Sequence, residues 1–68
     1  MPFVRIAVTR EGVTAKNKRD LIEGTTRLLK EVLGKDPETT HIVIEEIDTD
    51  NWGVGGRTVT ERRSEAAS

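Results

Sequence analysis

One long stretch of helical periodicity, Ala15 to Leu33, lies between two short runs that alternate as strands do, and nothing else restricts the chain's fold as much. Leu21, Ile22, Leu28, Leu29, Val32 and Leu33, with Thr25 filling the gap, put one apolar stripe along a helix of about five turns. On the other side Arg19, Glu23, Arg27 and Glu31 recur every four residues with alternating sign. Such pairs stabilise a helix by roughly 0.2–0.5 kcal/mol each, so this is a solvated face and not a ligand site. Thr14 suits the N-cap, because its hydroxyl can accept an early backbone N–H, and Gly34 suits the stop. Gly24 sits mid-helix, where it costs ~1 kcal/mol against alanine, and it predicts close approach to another backbone.

The run before the helix starts at Phe3, with Val4, Ile6 and Val8 on one face and Phe3, Arg5 and Ala7 on the other. It ends at a turn, Thr9-Arg10-Glu11-Gly12. After a connection over Lys35-Asp36-Pro37-Glu38-Thr39, His41 to Ile47 forms the second run, and its β-branched centre predicts that both faces are largely covered. Strand, helix and strand make a βαβ unit, whose right-handed crossover sets the strands side by side and parallel. Asn51 to Thr60 gathers three glycines around the only tryptophan and reads as a short hairpin. Gly53, Gly55 and Gly56 are not a phosphate loop, since they do not join a long strand to a helix and no Gly-Lys-Ser/Thr follows. The expected fold is α+β: a β-α-β unit with a C-terminal hairpin, two parallel strands under one helix, in one domain spanning residues 1–68. Residues 61–68 are polar and are expected to fray.

A chain of 68 residues is small for a self-sufficient core, since it buries only roughly 60% of the surface exposed on unfolding. With no cysteine it has neither disulfides nor thiolate ligands, and one histidine excludes a His-rich zinc site. Oligomerisation is the remaining remedy. Two strands also leave an open edge, for which an identical protomer is the natural cover. Net charge is −1, from 11 basic and 12 acidic residues spread along the chain, which argues against nucleic acid as a partner. The short apolar runs span no membrane and no signal peptide is evident, so the expected address is cytoplasmic.

The chemistry-bearing feature is Pro2. If Met1 is removed, its ring nitrogen becomes a free secondary amine. An α-amino group titrates near ~7.7–8.0 unperturbed, and apolar surroundings lower that by disfavouring the cation. Held neutral on a rigid strand, such an amine can take a proton from carbon beside a carbonyl. The plainer alternative is a proline at an edge-strand start, where the missing N–H costs nothing.

Met1-Pro2 before an alternating strand, Glu11-Gly12, Leu21-Ile22 in the helix, the apolar second strand and the Trp52-Gly53-Val54-Gly55-Gly56 run together resemble the 4-oxalocrotonate tautomerase family over nearly the whole chain. The resemblance implies a cofactor-independent tautomerase, assembled as a hexamer, a trimer of dimers. The terminal proline would be the general base acting on a small enol or unsaturated keto acid. Arginines would bind the substrate carboxylates, and the hairpin aromatic, here Trp52, would keep the proline in an apolar pocket.

The chain departs from the family at two arginines, whose positions fall at Val13 and His41. Neither residue offers the guanidinium fork that suits a carboxylate. Arg10 is the expected substitute, with Arg5 and Arg57 as further candidates from a neighbouring subunit, and His41 as a donor to a carbonyl oxygen. Two other readings stay open. One is hydration or dehalogenation of an unsaturated acid, with Pro2 as general acid and Glu45, Glu46 or Glu11 activating water. The other is a structural paralogue that keeps the oligomer without the chemistry.

Overall fold

A computed structural model describes residues 1–67 of the chain. In order it contains β1 (Phe3–Thr9), α1 (Ala15–Leu33), β2 (His41–Ile47), the short strands β3 (Gly53–Val54) and β4 (Arg57–Thr58), and α2 (Val59–Ala67), with 3-10 turns at Pro37–Thr39 and Thr49–Asn51.

The helix begins and ends where its capping residues stand. The Thr14 hydroxyl accepts from the Asn17 N–H, and the Asn17 side-chain oxygen accepts from the Thr14 N–H, each at 3.0 Å. That reciprocal capping box satisfies two donors that the first turn would otherwise leave open. Gly34 closes the helix in the left-handed region, φ 67°, which a side chain would resist.

β1 and β2 pair in parallel, with Phe3 beside His41, Arg5 beside Val43 and Ala7 beside Glu45. The face bearing Val4, Ile6, Val8, Ile42 and Ile44 is half-buried under α1, and a 2.7 Å ion pair from Lys18 to Glu46 ties helix to strand. The opposite face is open. Phe3 is 61% exposed and Val43 37%, and the Arg5–Glu45 pair, 2.6 Å, lies across it. Coverage of both faces of β2, expected from its β-branched centre, is therefore not achieved within one chain. Gly24 likewise meets only the end of the Arg27 side chain, so the close backbone approach expected there is absent among the described residues.

The polar tail differs as well: Glu61 to Ala67 continue α2 as helix, while Ser68 lies outside the described residues. Thr58 and Glu61 form the cap: the Glu61 N–H donates to the Thr58 hydroxyl at 3.1 Å, and the Glu61 carboxylate accepts from the Thr58 N–H at 3.4 Å. Val59, 5% exposed, is the one buried hydrophobic residue among those described. The chain measures 47 × 24 × 16 Å with a radius of gyration of 15.5 Å, against about 11 Å for a compact chain of this length.

Candidate active site

The expected site residues fall at the two ends of β1. Pro2, half-buried, stands at its start, and its carbonyl accepts from the His41 N–H at 3.0 Å. That bond fixes the backbone next to the proline ring and brings His41, exposed, alongside it. Met1 is 85% exposed, so its removal disturbs no packing.

About 20 Å away along the strand, the other end carries Arg10, Glu11 and the hairpin. Trp52 lines a cavity of about 480 Å³ together with Ala7, Val8 and Val59, and with the guanidinium-bearing Arg62 and Arg63 of α2. The hairpin folds so because Gly55 and Gly56 both take positive φ, 62° and 81°, and because the Val59 N–H donates to the Trp52 carbonyl at 2.8 Å. A second cavity of about 440 Å³ lies under the start of α1, lined by Val8, Val13, Asn17, Asp20 and Leu21. Neither cavity touches Pro2. Within one chain, then, Pro2 and His41 are brought together, Trp52 is brought to the far end of β1, and the two groups do not meet.

The arginines singled out from the sequence are already engaged. Arg10 reaches Asp48 at 3.0 Å and the Glu46 carbonyl at 3.3 Å. Arg5 holds Glu45, and Arg57 holds Glu61 at 3.3 Å and also Glu65. The candidate water-activating carboxylates are engaged too, Glu45 by Arg5, Glu46 by Lys18 and Glu11 by Arg63. The hydrogen bond from Arg63, with a second from the Thr9 hydroxyl at 2.6 Å, holds the Glu11 carboxyl below its ordinary range against a smaller opposing effect of desolvation. The same contact raises Arg63. Lys18 acts likewise on Glu46, lowering it. Carboxylates held in the ionised form by cations are poor proton acceptors. Among the described residues no three His, Cys, Asp or Glu side chains converge as a metal site, and no helix is long and apolar enough to cross a membrane.

Sequence reasoning passed over Arg62 and Arg63, because α2 was read as a tail. The spacing Thr58-x-x-Glu61 is a capping-box signature that would have marked the helix and set both arginines one turn on, facing the Trp52 cavity.

Comparison with known proteins agrees with this geometry. The model of the family described as tautomerase enzyme matches residues 2–62. A "probable tautomerase K2" of Dickeya dadantii is 57% identical over 67 residues, 98% of this chain and all of that protein. A 2-hydroxymuconate tautomerase of Bacillus subtilis is 34% identical over 61 residues, covering 90% of this chain and 97% of that one. Among solved structures, DmpI from Helicobacter pylori superposes with a TM-score of 0.88 at 37% identity, covering 93% of this chain and 97% of that chain. TomN, a 4-oxalocrotonate tautomerase homologue of the tomaymycin biosynthetic pathway, gives 0.86 at 35%, with 93% and 95% covered.

Proposed function

The chain belongs to the tautomerase family, and from that premise we propose that it isomerises a small enol or unsaturated keto acid, using Pro2 as general base once Met1 is removed. The observation that carries this reading is the placing of Pro2 at the start of a paired strand, its carbonyl locked by His41. A secondary amine held there has one fixed direction in which to accept a proton, and proximity of that kind is the main thing a base without a cofactor can offer.

Pro2 needs an apolar enclosure to stay neutral, and the chain's own Trp52 cavity is at the far end of β1. The working site is therefore built between copies, with the Pro2 end of one protomer facing the Trp52 end of another. The open sheet face, the exposed Phe3 and Val43 and the elongated shape support assembly, which we take to be a hexamer arranged as a trimer of dimers. His41, beside Pro2, is the group suited to donate to the substrate's carbonyl oxygen. Isomerisation is favoured over hydration or dehalogenation because Glu11, Glu45 and Glu46, the carboxylates considered for activating water, are all tied to cations.

The test is covalent. A small halogenated keto acid should alkylate the Pro2 nitrogen, one adduct per subunit, and abolish enol turnover. Label found on lysines alone, with enol substrates turning over no faster than in buffer, would leave only the structural paralogue.

A further inference from the structure

The Trp52 cavity has two guanidinium groups on its wall, and they differ in one respect. Arg63 is spent on Glu11, with bonds of 2.9 and 3.3 Å. Arg62 has no hydrogen bond or ion pair among the described residues, although Arg5, Arg10, Arg57 and Arg63 each have a carboxylate partner. One Arg62 terminal nitrogen would lie 3.6 Å from a Cβ at Gly55, so the side chain is laid against the hairpin turn. It lies beside the turn with its donors unpaired among the described residues. The rest of the wall is Trp52, Val54 and Val59 with Ala7, Val8 and Thr9, and the Thr9 hydroxyl is already donated to Glu11 at 2.6 Å.

We propose that Arg62 is the substrate-binding guanidinium, and that the cavity takes a monocarboxylate with an apolar or aromatic body. This rests on the tautomerase reading above and supplies the clamp missing at Val13 and His41. A carboxylate is matched by the planar fork of arginine, which can give two parallel hydrogen bonds. The cavity's net charge favours one such group: Glu11 cancels Arg63, and Arg62 is left over. A second carboxylate on the ligand would face the indole and valine wall without a partner, which is costly for an ionised group. At about 480 Å³ the cavity lies in the range of small-molecule sites, ~300–1,000 Å³. An indole beside the anion also gives a flat ligand a surface to lie on.

Trp52 is the only tryptophan and tyrosine is absent, so the intact assembly reports on this cavity by its own fluorescence. Phenylacetate should change that emission saturably, and phenylacetamide, its uncharged isostere, should bind at least about tenfold more weakly, as expected for a lost charge-assisted hydrogen bond. Arg62→Gln should bind acid and amide alike. Arg62→Lys, which keeps the charge and loses the fork, should restore part of the acid's advantage and guards against a misfolded first variant. Muconate, a diacid, should bind more weakly than phenylacetate. An unchanged preference for the acid in Arg62→Gln would overturn the assignment, and equal affinity for muconate would overturn its restriction to monoacids. Because binding is read without turnover, a lost acid preference beside an unreactive Pro2 would keep the carboxylate site and discard the isomerase.

Discussion

Glu11, in the turn after β1, and Arg63, on α2, are joined by a two-pronged ion pair at 2.9 and 3.3 Å although they stand 52 positions apart in the sequence. It ties the C-terminal helix to the turn at the end of β1. Both partners are exposed, so it is worth little in high dielectric, yet it sets a pH dependence of definite sign. Hydrogen bonds from Arg63 and then Thr9 lower the Glu11 pKa, so its folded value lies below its unfolded one. The stabilisation is therefore complete above the unfolded value and is lost as pH falls through the folded one. Glu46 and Glu61 shift in the same direction, the first chiefly through Lys18 and the second chiefly through Thr58. Denaturation midpoints should fall as pH drops below the carboxylate range, and Glu11→Gln should flatten that fall. A midpoint independent of pH there, or unchanged slope in the variant, would show that the pair does not form in solution.

Thr14→Ala should destabilise the fold by about 1 kcal/mol, since it removes the acceptor for the Asn17 N–H and leaves only the backbone N–H of position 14 donating to the Asn17 side chain. Chemical denaturation at one fixed protein concentration measures it, because an assembling chain gains stability by mass action. Loss of less than a few tenths of a kcal/mol would mean that water replaces the cap without cost.

Thr58→Ala should loosen α2 alone. The hydroxyl of Thr58 both accepts from the Glu61 N–H and donates to its carboxylate at 3.1 Å, so its loss opens the cap while the Val59 N–H to Trp52 and the Thr60 hydroxyl to Asp50 and Thr49 still tie the helix start to the body of the chain. Amide hydrogen exchange over residues 60–66 should quicken while α1 keeps its protection. Uniform quickening would indicate that α2 is integral to the fold and not a separately capped addition.

The parts of this architecture that the sequence carried plainly are those with local causes. The stripe of α1, its cap at Thr14 and its stop at Gly34, and the glycine turn at Gly55-Gly56 are each written in a few adjacent residues. α2 escaped because its signal is a cap and not a period: Glu61, Arg62, Arg63, Ser64 and Glu65 show no apolar stripe, and Val59 alone anchors the helix in the interior. The pairings of Arg5, Arg10 and Arg57 were out of reach for another reason. Which carboxylate a guanidinium finds depends on strand register and turn geometry, as the Arg5–Glu45 contact across neighbouring strands illustrates. Periodicity told which residues share a face but not whether that face is covered, and β2 shows the difference at Val43.

Phe3→Glu should take the assembly apart and silence Pro2 together. Phe3 is 61% exposed on the open sheet face, adjacent to Pro2 and in register with His41, and Val43 shows further apolar surface on the same side. Leu28, Val32 and Leu33 add apolar surface on α1, at 55%, 69% and 59% exposure. A lone chain leaves that much apolar surface uncovered and has one buried hydrophobic residue, Val59, among those described, a small core by the standard of stable domains. A carboxylate at position 3 would have to be buried unpaired in any interface formed by this face, a cost large enough to compete with association. Sedimentation should give a closed oligomer, six subunits, for the parent chain and smaller species for the variant. Alkylation of Pro2 should slow in parallel if, as proposed, the enclosure that keeps the amine neutral comes from another protomer. Two results would refute this: a folded, active monomer of the parent chain at low micromolar concentration, or a dissociated Phe3→Glu protein whose Pro2 reacts as fast as before.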